Sequence, residues 1–186
     1  GATIGGNAYD KRNSMKLISG TQYSNYIIFG LTGLAQGHSN FASYLSGALT
    51  DLGRNFTQQA ASVCSFTSPW AWSYKNLSQI LTAGESAFYT SAANATFDPE
   101  SLLLPSSRPV ATFPRLIFHG TADQLTPFAD AQTYVDSQCA QGANIRFVKY
   151  NGSDHFQTSG SATNMLATWI TQAFTTGAPQ VQCGSS

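Results

Sequence analysis

Two ionisable residues, Asp123 and His155, each follow shortly after an apolar segment in the second half of the chain. A buried aspartate can hold an imidazole in one tautomer and orientation, and the imidazole can then take a proton from a hydroxyl nucleophile and return it to a leaving group. The two residues therefore have the side chains needed for the acid and the base of a serine-hydrolase triad. No other residues in the sequence offer this pairing.

The elements that must position this pair can be predicted from apolar patterning. In order, we predict a strand over 114–120, a helix from Thr126 to about Gln141, a strand over 145–150 and a helix from roughly Ser161 to Phe174. This order indicates parallel strands joined by a right-handed crossover. Ligands of parallel sheets bind beyond the carboxyl ends of the strands, so we expect Asp123 and His155 to lie close together there.

The first half of the chain has a different organisation. Residues 2–4 read as the end of a buried strand, and apolar residues from Tyr23 to about Leu52 recur at helical spacing, which predicts a helical hairpin with Gly37 between its arms. The segment 54–109 resembles an inserted cap and ends in a linker-like stretch, 105–109. We therefore predict three parts: a strand end and turn (1–20), a mainly helical cap or lid (21–109) and an α/β core carrying the acid and base (110–186).

Composition limits the classes of partner. Only 10% of the residues are charged and the formal net charge is zero, so nothing favours binding to nucleic acid or to an anionic membrane, and we expect a neutral or apolar partner. The longest apolar stretch, around Tyr26, is too short to span a bilayer, and the first residues do not read as a signal peptide. The three histidines show no metal-ligand spacing with the cysteines, so we predict no metal and no cofactor.

Two features favour an oxidising, extracellular compartment. The chain has glycosylation sequons at Asn55, Asn76, Asn94 and Asn151, although chance occurrence in a chain rich in serine and threonine is the alternative. It also has three cysteines, Cys64, Cys139 and Cys183, and an odd number leaves one thiol without an internal partner.

Two loops carry a family resemblance. The segment from His119 to Phe128 (HGTADQLTPF) is similar to the α/β-hydrolase turn that carries the catalytic acid, and Gly152 to Phe156 (GSDHF) resembles the loop of the catalytic histidine. The segment QCAQGANI, the opening GATIGG and the helical cap resemble the fungal secretory lipases, and this likeness runs from end to end. The resemblance implies the C-terminal portion of an α/β-hydrolase fold, with an inserted, mainly helical cap.

The nucleophile of such a triad is missing from the sequence. No Gly-x-Ser-x-Gly occurs, and the nearest imitation is Gly37-His38-Ser39-Asn40-Phe41. We reject Ser39, because a nucleophile elbow follows a central strand after several strands have formed, and the preceding residues can hold only one strand and a helix. The resemblance therefore implies that the nucleophilic serine lies upstream of Gly1, on an N-terminal chain of the same precursor.

The resemblance also gives a disulfide pattern. It implies an internal pair between Cys139 and Cys183, and Cys64 would then be left to form a bridge to the upstream chain. A buried free thiol at Cys64 is the alternative. If the bridge exists, this chain is half of a cleaved, disulfide-linked enzyme.

Several functions remain open from the sequence. The first is hydrolysis of a hydrophobic carboxylic ester through an acyl-enzyme, as in a secreted lipase, and acyl transfer or peptide cleavage would use the same chemistry. A non-catalytic binding protein with this fold is a third possibility, although it would have no reason to keep both Asp123 and His155. Asp123 could instead cap a helix, or Asp154 could orient the histidine. We interpret His119 as a packed structural residue and His38 as part of a helix junction.

Overall fold

The computed structural model describes residues 1–104, 110–177 and 183, and it divides the chain into two compact units. The core unit consists of Gly1–Tyr9 and Pro105–Ser186, and the helical unit consists of Asp10–Leu104. The linker predicted over 105–109 lies outside the described residues. The three-part division inferred from the sequence stays a prediction.

The described residues form the following elements in chain order. They are β1 (Ala2–Gly5), α1 (Lys11–Ile18), α2 (Asn25–Gly37), α3 (Ser39–Ala48), α4 (Asp51–Ala60), α5 (Leu77–Ile80), α6 (Ser91–Glu100), β2 (Arg115–Gly120), α7 (Phe128–Ala140), β3 (Ile145–Tyr150) and α8 (His155–Thr175). Short 3₁₀ turns occupy Ser65–Thr67, Trp70–Trp72 and Gly84–Tyr89. In the described part of the helical unit, no helix is long and apolar enough to cross a bilayer, and the same is true of the described part of the core unit.

The core unit is built on three parallel strands in the order β1-β2-β3. In the central register, Ile117 of β2 pairs with Ile4 of β1 on one side and with Phe147 of β3 on the other. Every residue of β2 is buried, since a middle strand of a parallel sheet is covered on both faces. Helix α8 packs against β1 and β2 with Trp169 buried, and α7 packs against β2 and β3.

The predicted strands 114–120 and 145–150 and the predicted helix after Thr126 are confirmed as β2, β3 and α7. The start of the last helix was predicted wrongly. It begins at His155 and not near Ser161, because Asp154 and Gln157 form a capping box that starts the helix in a polar segment without apolar periodicity. His155 is therefore the first residue of a helix and is not in a free loop.

The helical unit contains the predicted hairpin, which is confirmed as α2 and α3 with His38 between them. The structure adds α1, which begins where Asp10 caps the backbone N–H of Arg12. Part of the core of this unit is aromatic: Trp72 is buried and its ring contacts those of Phe29 and Phe56. These contacts agree with a small helical unit whose aromatic residues build its own core.

The helical unit also contains a partly buried ion-pair cluster. The guanidinium of Arg12 donates to Asp10 Oδ2 at 2.9 Å and to Asp98 Oδ1 at 2.7 Å. Its Nη1 also donates to the side-chain oxygen of Asn94 at 3.2 Å. Asp10 and Arg12 are both buried, so removing Arg12 would leave the Asp10 carboxylate in the interior without its cation.

The cysteines fall into two classes. Cys139, near the C-terminal end of α7, is bonded to Cys183, and this disulfide closes a loop with a sequence separation of 44. Cys64 is an exposed free cysteine in this chain.

Candidate active site

The structure brings Asp123 and His155 together. Asp123 follows β2, and His155 opens α8 after the short turn that follows β3, so neighbouring parallel strands bring both residues to the same edge of the sheet. The imidazole Nδ1 of His155 lies 2.8 Å from Oδ2 of Asp123, at a separation of 32 in sequence. The distance is that of a charge-assisted hydrogen bond.

The carboxylate of Asp123 is held by its own loop. Backbone N–H groups of Leu125 and Thr126 donate to Oδ1 at 2.9 and 2.8 Å, and the hydroxyl of Thr126 donates to Oδ2 at 3.1 Å. Burial by itself would raise the pKa of the Asp123 carboxyl, but the hydrogen bonds from His155, Thr126 and Leu125 outweigh burial and hold the pKa below its usual value. Asp123 is therefore a buried carboxylate whose negative charge is stabilised by hydrogen bonds to both of its oxygens.

His155 has one engaged and one open ring nitrogen. Nδ1 donates to Asp123, and the backbone N–H of His155 donates to Oε1 of Gln124 at 3.0 Å. The side chain is 25% exposed, and Nε2 makes no hydrogen bond to any described residue. With the proton on Nδ1, Nε2 carries a lone pair, which is the state of a general base.

Backbone contacts fix the two loops relative to each other. The N–H of Thr121 donates to the carbonyl of Tyr150 at 3.0 Å, and the N–H of Ala122 donates to the carbonyl of Ser153 at 3.1 Å. Gly120 lies so close to Ser153 that a β-carbon on Gly120 would collide with the carbonyl oxygen of Ser153. The separation of Asp123 and His155 is therefore set by the backbone as well as by their side chains.

Gly6, just beyond β1, also belongs to this site. Its φ is +54°, which favours glycine, and a β-carbon on it would come 2.7 Å from Cε1 of His155. This role was not predicted from the sequence. The available signal was the Gly5-Gly6 pair directly after a strand, which indicates a turn or a close approach of the backbone.

His119 lies behind the acid loop and is fully buried. Its Nε2 is 3.0 Å from the carbonyl oxygen of Thr126 and 3.3 Å from Oδ2 of Asp123. Its Nδ1 is buried and has no hydrogen-bond partner among the described residues. From the sequence, His119 is predicted only to be a packed residue, because its contact with the loop carbonyl of Thr126, seven residues away, leaves no sequence pattern.

The other candidates take different places. Asp154 caps α8, with its side chain accepting from the N–H of Gln157 at 2.7 Å, so it is engaged away from the imidazole of its neighbour. Ser39 is an exposed residue in the first turn of α3, in the helical unit. Within 1–104, 110–177 and 183, no group of His, Cys, Asp and Glu side chains could hold a metal ion.

Sequence comparisons give a consistent set of relatives. A model of the secretory lipase family matches residues 1–182. Lipase A of Moesziomyces aphidis is 25% identical over 189 residues, and the secreted triacylglycerol lipase LIP2 of Malassezia furfur is 30% identical over 166 residues. These matches cover 100% and 89% of this chain but 41% and 35% of the relatives. The chain thus spans less than half the length of these proteins.

Solved structures show the same fold. Candida antarctica lipase A superposes with a TM-score of 0.87 and 24% identity, over 98% of this chain and 43% of that chain. The rice cell wall degrading esterase LipA from Xanthomonas oryzae gives a TM-score of 0.58 and 14% identity, over 94% of this chain and 50% of that chain. The predicted fold, part of an α/β-hydrolase with an inserted helical unit, is confirmed.

Proposed function

Because the chain belongs to the secretory lipase family, we propose that it is part of a secreted serine ester hydrolase, in which Asp123 is the catalytic acid and His155 the catalytic base. The observation that carries the proposal is the hydrogen bond of 2.8 Å between His155 Nδ1 and Asp123 Oδ2, which leaves Nε2 unpaired among the described residues. An imidazole held in this tautomer by a buried carboxylate is the general base of serine-hydrolase chemistry.

The proposed reaction proceeds through an acyl-enzyme. Nε2 of His155 takes the proton of a serine hydroxyl as its oxygen attacks the ester carbonyl, and it returns that proton to the departing alcohol oxygen as the ester bond breaks. Water then repeats the cycle on the acyl-enzyme and releases the carboxylic acid. Asp123 stays ionised throughout, because its hydrogen bonds support the carboxylate form.

The nucleophile belongs, in this proposal, to an upstream N-terminal chain of the same precursor. The absence of Gly-x-Ser-x-Gly from the sequence supports this, as does the position of Ser39 at an exposed helix start and not after a strand. The greater length of the relatives leaves room for such a segment. This chain alone would then be inactive.

Cys64 would link the two chains. It is exposed and free, whereas the other two cysteines are bonded to each other, so it is available for a bridge to the N-terminal chain. Electrophoresis of the secreted protein with and without reductant tests this bridge. We expect reductant to release this chain, and a band of unchanged mobility would contradict the bridge.

The proposed substrate is a hydrophobic ester, with the helical unit as a cap or lid. The low charge of the chain fits a neutral, apolar partner, and one relative is named a triacylglycerol lipase. We also propose that the protein is secreted and glycosylated at some of its four sequons.

Hydrolysis by the complete protein tests the proposal. We expect it to release fatty acid from an emulsified triacylglycerol and to lose this activity when His155 is replaced by alanine. Release of amine from peptide substrates, or acyl transfer to an alcohol in preference to water, would indicate the related chemistries of the same triad. A folded, complete protein with no acyl-group chemistry would favour a non-catalytic binding protein.

A further inference from the structure

The buried ring of His119 makes a contact that determines where its proton lies. Nε2 is 3.0 Å from the carbonyl oxygen of Thr126. A carbonyl oxygen only accepts hydrogen bonds, so Nε2 must carry the proton. In the neutral ring Nδ1 then has the lone pair, which agrees with a buried Nδ1 that has no hydrogen-bond acceptor among the described residues.

His119 contacts Thr126, and Thr126 in turn binds the carboxylate of Asp123. Thr126 donates its backbone N–H to Oδ1 of Asp123 at 2.8 Å and its hydroxyl to Oδ2 at 3.1 Å. The same hydroxyl lies 3.3 Å from the carbonyl oxygen of Gly6. Fixing the carbonyl of Thr126 therefore fixes the residue that presents two donors to the carboxylate.

His119 also acts on the carboxylate through space. Its Nε2 is 3.3 Å from Oδ2 of Asp123, the same oxygen that accepts from Nδ1 of His155. Both side chains, His119 and Asp123, are fully buried, so the dipole of the Nε2–H acts in a medium of low polarity. A neutral donor at this place supports the negative charge without competing for the role of base.

We infer that His119 is a positioning residue for the catalytic acid: its Nε2–H holds Thr126 in the place where Thr126 clamps Asp123. His119 and His155 thus have opposite neutral tautomers around one carboxylate oxygen, with the proton on Nε2 in His119 and on Nδ1 in His155. The inference rests on the proposed function only where it predicts activity. The tautomers themselves are a property of the folded chain.

Two substitutions in the complete enzyme separate positioning from packing. H119Q keeps a side-chain N–H donor at a comparable reach, whereas H119L fills the space and removes the donor. We expect H119L to lower kcat on a soluble ester by about tenfold to a hundredfold with KM unchanged, and H119Q to restore most of kcat. If the His119 side chain only filled the core, both variants would lose stability and their kcat values would not differ.

The tautomers give a readout that needs no variant. Two-bond correlation spectra of the complete enzyme with ¹⁵N-labelled histidine should show that the neutral ring of His119 carries its proton on Nε2 and the neutral ring of His155 carries its proton on Nδ1. A proton on Nδ1 of His119 would overturn the inference, as would full kcat in H119L or an equal loss in both variants. If H119L does not fold, H119M serves as the variant without a donor. A wild-type enzyme without esterase activity would contradict the proposed function but leave the tautomer result standing.

Discussion

Gly6 lies against the imidazole of His155, and a β-carbon on Gly6 would come 2.7 Å from Cε1 and 3.1 Å from Nδ1. Its φ of +54° is a second constraint, since residues with side chains rarely adopt it. The end of β1 and the start of α8 can therefore approach only through glycine. Through this contact the first strand of the chain supports a ring whose partner, Asp123, follows β2.

The first prediction concerns this contact. In the complete enzyme, G6A should displace the ring of His155 from Asp123 and lower kcat by at least about tenfold, because the ring can no longer reach its productive position. G142A is the matched control: Gly142 has a φ of +82° and no atom within 4 Å of an added β-carbon. Both variants should lose about 1–2 kcal/mol of unfolding free energy. Equal effects on kcat would contradict a role for Gly6 at the site.

The second prediction separates the two aspartates next to the histidine. D123N should lower kcat of the complete enzyme by about 10³ to 10⁴-fold, because an amide favours the wrong tautomer of His155 and cannot stabilise its charged form. D154N should keep near-normal kcat and change the unfolding free energy by less than about 1 kcal/mol, since asparagine also caps a helix. Steady-state kinetics on a soluble ester measures both. A larger loss in D154N would reassign the acid to Asp154.

The third prediction follows from the lowered pKa of Asp123. A carboxyl whose pKa is lower in the folded than in the unfolded state adds stability that is fully present above the unfolded pKa, about 4, and is lost as pH falls through the folded pKa. The unfolding free energy should therefore decline below about pH 4. Asp10 contributes a decline of the same sign: burial would raise its pKa, but its hydrogen bonds, led by that from Arg12, lower it.

D123N tests the assignment of this acid dependence. Denaturant unfolding of the wild type and of D123N from pH 6 downward should give a shallower decline in the variant, because one of the two groups no longer titrates. An unchanged slope would mean that Asp123 does not bind a proton in this range.

The fourth prediction ranks the sequons. Asn151 is exposed in the turn after β3, and Asn55 and Asn76 are also exposed. Asn94 is partly buried, its side-chain oxygen accepts from Arg12, and Thr96 of the same sequon is 4% exposed. We expect glycans at the three exposed sites and none at Asn94. Site mapping by mass spectrometry after enzymatic deglycosylation in ¹⁸O water checks this, and occupancy of Asn94 would contradict it.

Sequence patterns predict β2, β3 and the proximity of Asp123 to His155 for a physical reason. β2 is a short buried run that ends in glycine, and β3 begins with alternating buried and exposed residues and ends in a turn. Parallel strands place the residues that follow them at one edge of the sheet. The start of α8 was missed because its first turn is polar, and only the capping box of Asp154 and Gln157 marks it. Apolar periodicity detects the buried face of a helix and not its solvent-exposed end.

The supporting residues were missed for a different reason. Gly6 meets His155 across the sheet, and His119 meets Thr126 through a loop carbonyl, so neither contact follows a local period. Such contacts depend on tertiary packing, which a single sequence does not encode as a spacing. The pair of Asp123 and His155 was accessible because the order of elements alone brings the two residues together.

Covalent labelling of the secreted, complete protein with a fluorophosphonate probe tests the central claim most directly. Asp123 and His155 are proposed to activate a serine that lies outside these 186 residues. We predict one labelled serine, in a peptide absent from this sequence, and loss of labelling in D123N and in the alanine variant of His155. If the folded, complete protein contains no labelled serine, the proposed function is contradicted. If Ser39 is labelled, the placement of the nucleophile is contradicted.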